Sequence, residues 1–151
     1  MLIDRRLFVI GSTTTLALSG CLGGPKATVL SVKAQGAAGM NTGPDGNDRP
    51  VTVTILQLRS ATGFDSADYF SLQNPSATLG TDLIKSNQLV LAPQGSANLA
   101  IPIEADATVI GIVAGFRDPA GKQFRNKIGA PGSSAGLTIN VSSGGVQSQL
   151  I

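Results

Sequence analysis

Pro50-Val51-Thr52-Val53-Thr54-Ile55 is the stretch that decides the fold class. Val51, Val53 and Ile55 share one face of an extended chain, and Thr52 and Thr54 share the other. This is the two-residue period of a strand with one dry side. Upstream, in residues 28–35, Leu30, Val32 and Ala34 alternate in the same way with Ser31, Lys33 and Gln35. Downstream, further strands fit residues 88–91, 98–103, 108–116 and 137–141, with a short seventh around 122–128. Gly, Pro, Asn and Asp punctuate the runs. Pro102 has no N–H to give to a ladder, which places its strand at a sheet edge. Residues 109–116 are almost continuously apolar and read as the most buried strand. Residues 131–135 read as a loop, and the small, polar, glycine-rich residues 142–149 as a frayed tail. The expectation is an all-β chain whose strands form a two-sheet antiparallel β-sandwich.

Residues 63–85 break the pattern. Phe64, Ala67 and the pair Phe70/Ser71 recur at helical spacing, with Asp65 or Ser66 available to cap the start. Asn74-Pro75 then restarts a helix, because asparagine suits an N-cap and proline the first helical position. The prediction is a short helical insertion covering the sheet pair, with Tyr69, Phe70 and Leu72 docking it as core.

At the amino terminus, Arg5 and Arg6 precede the apolar run 7–18, and Leu18-Ser19-Gly20 leads to Cys21, the only cysteine. A charged start, an apolar run and small residues before a cysteine are the layout of a bacterial lipoprotein signal. Residues 1–20 are then the cleaved signal peptide, 21–26 a lipidated tether and 27–151 the β-sandwich domain. Cys21 takes the lipid because its thiol can form a thioether. Each buried methylene contributes about 0.8 kcal/mol, so two or three acyl chains anchor the protein stably whereas one would not. The apolar run is shorter than the roughly 20 residues of a membrane span. Arg5-Arg6 before Leu7 also resembles a twin-arginine signal, although the general secretory route is favoured. Leu22 rather than aspartate after the cysteine points, by resemblance to sorted lipoproteins, to the outer membrane and a domain on its periplasmic face.

Cleavage leaves 131 of the 151 residues, one domain's worth of chain. It leaves nine basic and eight acidic residues, with no run of lysine or arginine, so nucleic acid is not expected as a partner. Histidine is absent, which removes Ser-His-Asp and Cys-His catalysis and the usual zinc ligand. Asp65 and Asp68 read as solvent-facing or helix-capping groups rather than as a catalytic pair. No phosphate-binding glycine motif is present. The expectation is a protein that is not an enzyme and carries no cofactor beyond the covalent lipid on Cys21.

Four blocks then stand in order: Arg49-Pro50-Val51-Thr52-Val53-Thr54-Ile55-Leu56-Gln57-Leu58, Phe64 with Ala67-Asp68-Tyr69-Phe70-Ser71-Leu72, Leu79-Gly80-Thr81-Asp82-Leu83, and Val113-Ala114-Gly115-Phe116-Arg117-Asp118. Together with the lipobox, they resemble the TssJ (SciN) family of outer-membrane lipoproteins of type VI secretion systems. Phe124-Arg125 departs from the family's pattern, which has a tryptophan before the arginine. The resemblance implies a transthyretin-like sandwich with a helical insertion. It also implies a non-enzymatic role: binding the periplasmic C-terminal part of TssM within a TssJ, TssL and TssM complex, partly through the loop between the first two strands.

Here that loop is residues 36–48, containing Met40, Asn41, Pro44, Asp45, Asn47 and Asp48, and these six are the candidate partner-binding residues. Its four glycines and one proline make it either conformationally specific or flexible. An exposed Met40 could fill an irregular pocket on a partner, and Asp45 and Asp48 could meet basic residues. Asp45-Gly46-Asn47-Asp48 faintly resembles a calcium loop but lacks the downstream bidentate glutamate, so no metal is expected. The alternative function is a periplasmic carbohydrate-type binding sandwich, which would ordinarily display aromatic stacking platforms. This chain has no Trp and one Tyr.

Overall fold

The computed structural model describes residues 27–151; the signal segment 1–20, Cys21 and the tether 21–26 lie outside the described residues. Eight strands and two short helices follow in the order β1 (Val29–Gly36), β2 (Val51–Leu58), α1 (Thr62–Ser66), α2 (Pro75–Leu79), β3 (Leu83–Leu91), β4 (Ser96–Pro102), β5 (Val109–Gly115), β6 (Arg125–Gly129), β7 (Ala135–Ser142) and β8 (Gly145–Leu150). They form two four-stranded sheets, β4-β1-β7-β8 and β3-β2-β5-β6. Every pair is antiparallel except β1 with β7, which run parallel.

The alternation in β1 and β2 does what its period requires. Leu30, Val32 and Ala34 meet Val51, Val53 and Ile55 in the space between the sheets, with Ile101, Ile110, Ile112, Leu137, Ile139 and Val146. Fully burying each Leu, Ile or Val contributes about 1.5–3 kcal/mol. Gln57 is a buried polar exception that joins the sheets. Its amide nitrogen donates to the Pro102 carbonyl (3.0 Å), and its oxygen accepts from Glu104 N–H (2.8 Å). β4 lies at an edge, as Pro102 requires.

A second core lies outside the first. Leu56, Leu58 and Val113, on the outer face of the β2 sheet, are covered by Phe64, Leu72 and Leu79 of the insertion. β2 is therefore buried on both faces over residues 53–58, which explains why its polar alternation stops at Thr54. Gly111 of β5 is a matching cut-out: a Cβ there would lie 2.9 Å from the Phe64 ring. Arg125 of β6 holds the insertion down. Its guanidinium donates to the carbonyls of Phe64 (2.7 Å), Asp65 (2.9 Å) and Ala67 while lying over the Phe64 and Phe124 rings.

Several expectations are corrected. Residues 145–150 are not a frayed tail but strand β8, paired with β7 from Ser142–Gly145 to Leu137–Leu150. Gln147 and Gln149 face out while Val146 is buried, so a polar composition concealed a two-residue period. Gln123 stitches this hairpin to the other sheet, accepting from Val146 N–H (2.8 Å) and donating to the Gly144 carbonyl (3.0 Å). β3 begins at Leu83 rather than at residue 88, because β2 supplies a partner along its whole length. Neither helix has a side-chain cap: Asn74 makes no capping bond, and α1 starts before Asp65 and Ser66. Asp68 instead accepts from the N–H of Ser71 (2.7 Å), the first residue of the turn Ser71–Gln73. Leu72 is core, Tyr69 is half-buried, and Phe70 is 76% exposed. The chain turns at residues 67–70, so the helical period that would have buried Phe70 does not run through it.

Candidate functional site

The β1–β2 loop is an ordered hairpin. Thr42 and Asp48 form a bridge across it, Gly43 N–H donates to the Asn47 carbonyl (2.9 Å), and Gly46 N–H donates to the Gly43 carbonyl (3.0 Å). Gly39 and Gly46 take φ of 75° and 79°, which glycine adopts at little cost. At the root, Asp48 accepts from the backbone N–H groups of Gly39 (2.7 Å), Asn41 (2.8 Å) and Arg49 (3.1 Å). Those donors, Asn41 N–H foremost, hold its carboxyl below the ordinary carboxylate range.

Asn41 ties the loop to two other segments. Its amide nitrogen donates to the Pro50 carbonyl (3.0 Å), and its side-chain oxygen accepts from Arg117 N–H (2.8 Å) at the start of the β5–β6 connection. Lys122, at the far end of that connection, donates to the Met40 carbonyl (2.9 Å) and lies 4.7 Å from the centre of the Phe116 ring. Sequence reasoning missed Arg117 and Lys122 here, because no local signal marks a contact across 76 and 82 residues.

The six predicted site residues therefore divide. Met40 is fully buried in the main core, which corrects the expectation of an exposed methionine: its sulfur lies against Gly36, where a Cβ would come within 2.8 Å. Asn41 is 5% exposed and braces the loop. Asp48 is half-buried at the root. Pro44, Asp45 and Asn47 stand exposed at the tip. Asp45 accepts from the Asn47 side chain and backbone (3.1 Å each) and from Arg49 (3.2 Å). The Asn47 amide, ahead of Arg49, depresses its pKa. The oxygens of Asp45 and Asp48 are engaged internally, which accounts for the calcium-like pattern as loop architecture. Cys21 lies outside the described residues.

The described residues form a sandwich with one outer face partly covered by a helical insertion and a braced loop between its first two strands. The surface hollow lined by Ser31, Lys33, Asn98 and Ala100 is shallow. The chain belongs to the family described as Type VI secretion lipoprotein, VasD, EvfM, TssJ, whose model matches residues 28–144. That family is a lipoprotein component of the secretion machinery and not a family of enzymes.

The fold is that of the T6SS lipoprotein TssJ1 from Pseudomonas aeruginosa, with a TM-score of 0.74 at 24% identity over 83% of this chain and 97% of that one. A chain of a type VI membrane complex matches with a TM-score of 0.69 at 28% identity, covering 81% of this chain and 98% of its own. A chain in the structure of the TssM C-terminal domain (869–1107) from EAEC matches with a TM-score of 0.59 at 29% identity, covering 83% and 97%. No curated protein sequence matches the chain.

Proposed function

We propose that this domain is held to the periplasmic face of the outer membrane by lipid on Cys21 and binds the periplasmic C-terminal region of TssM, within a complex that also contains TssL. The observation that carries this reading is the preorganised β1–β2 loop. Its tip, Pro44, Asp45 and Asn47, is presented by a root braced by Asp48 and Asn41, so binding need not order it. The likeness to a chain of a type VI membrane complex and to a chain in a TssM C-terminal domain structure supports the choice of partner.

The polarity of β1 supports the geometry. The strand β1 begins at Val29, and the loop leaves it at Gly36. At roughly 3.4 Å per residue the strand places the loop about 24 Å beyond the tethered end. A tether of six residues reaches at most about 20 Å, so the domain stays near the bilayer.

Calorimetric titration of residues 22–151 against the periplasmic domain of the TssM encoded by the same organism tests the reading. Saturable one-to-one binding, micromolar or tighter and weakened by Asp45→Arg, is the expected result. Absence of heat at several temperatures, with both domains folded, would refute it.

A further inference from the structure

The connection from β5 to β6 reaches back to two consecutive residues of the β1–β2 loop. Arg117, at its start, donates its backbone N–H to the Asn41 side chain (2.8 Å), and Lys122, near its end, donates its ammonium to the Met40 carbonyl (2.9 Å). One such bond would leave the loop root free to swing about it, whereas two from a single segment fix both position and direction. Met40 cannot retreat from the pair, because its side chain is fully buried in the main core.

Lys122 acts from a rigid mount. Its own N–H donates to the Pro119 carbonyl (3.0 Å), closing a turn in which Gly121 takes a φ of 72°. The next residue, Gln123, donates to the Gly144 carbonyl and accepts from Val146 N–H, and its backbone leaves no room for a Cβ on Gly145. The Lys122 side chain is half-buried, with its ammonium 4.7 Å from the centre of the Phe116 ring. Among the described residues no carboxylate lies within ion-pair distance of it. Its charge therefore serves the Met40 carbonyl and the ring, and a charged donor makes the stronger kind of hydrogen bond.

We infer that Lys122 is a positioning residue for partner binding: through the Met40 carbonyl it holds the β1–β2 loop in the arrangement that presents Pro44, Asp45 and Asn47, without itself touching the partner. The inference rests on the proposed partnership. Every loop residue that must be ordered on binding subtracts from affinity, so a residue 82 positions away in sequence sets part of the affinity of the loop tip.

The test is the same titration with Lys122→Met, which keeps an apolar stem beside Phe116 and removes the donor. The similar solved chains are covered almost entirely by residues of this domain, so residues 22–151 suffice. Lys122→Met should weaken binding about tenfold. In the free domain, hydrogen exchange at the Gly39, Asn41 and Gly43 amides, which are bonded within the loop, should speed up by a similar factor while the β2 amides stay protected. In an Asp45→Ala background the same substitution should cost less than about threefold, because a residue that acts through the loop then has less to position. Weakened binding with unchanged exchange in the loop, or an equal loss in both backgrounds, would make Lys122 a direct contact and overturn the inference. Wild-type affinity in Lys122→Met would overturn it too, and each of these results leaves the proposed partnership standing. Absence of binding by the unaltered domain would overturn both.

Discussion

Met40 and Asn41 are adjacent yet stabilise the molecule by different means. Met40 fills space: truncation to alanine empties a fully buried site and should cost about 2–5 kcal/mol. Asn41→Ala would strand two polar groups, the Arg117 N–H and the Pro50 carbonyl, at a cost of about 1–3 kcal/mol. Urea denaturation measures both, and a change below about 0.5 kcal/mol for Met40→Ala, the size typical of exposed positions, would place that side chain at the surface. Sequence alone misplaced Met40 because its neighbours are small and polar, as in a solvated loop. What buries it is the close approach permitted by Gly36 and the cover of strands distant in sequence. Asp45 and Asp48 were legible as loop residues, but their partners were not.

The helical insertion is held at the level of the element. Its two helices are five residues each, far too short to be stable alone, so packing and the Arg125 fork must supply their order. Arg125→Lys would replace a planar donor bonded to three carbonyls with a single ammonium. It should cost about 2 kcal/mol and speed proteolysis within residues 62–79. Lys127→Ala, which removes an exposed ion pair with Asp65, should change stability by less than about 1 kcal/mol. Equal effects from the two would contradict this ranking.

The carboxylates act at the same scale. Asp45, Asp48 and Asp68 have folded-state pKa values below the ordinary 3.8. Each therefore contributes stability that is complete above its unfolded-state pKa and is lost as pH falls through the depressed folded value. The melting temperature should be flat between about pH 5.5 and 8 and fall below about pH 4. Asp48→Asn should lower the plateau and flatten the acid limb, and an unchanged acid limb in that variant would exclude Asp48 as a contributor.

For the whole molecule, the proposed lipid anchor lies outside the folded sandwich, so its loss should leave the fold and the β1–β2 loop intact. Cys21→Ser should move the protein from the membrane fraction to the soluble periplasm and abolish labelling by palmitate. The released variant should still bind the periplasmic domain of TssM as residues 22–151 do, and continued membrane retention of the variant would argue for attachment by other means. The two-residue period in β1 and β2, with the continuous apolar run of β5, was sufficient by itself to point to a β-sandwich, because alternation needs only the chain's own geometry and one dry face. Tertiary structure alone decided that β1 and β7 run parallel, that residues 145–150 form a strand, that Met40 turns inward and that Phe70 turns outward. The parallel pairing and the burial of Met40 depend on which distant segment lies alongside, and pairing energy between segments far apart in sequence leaves no local trace in either of them; β8 was concealed by its polar composition, and Phe70 by a turn that breaks the helical period.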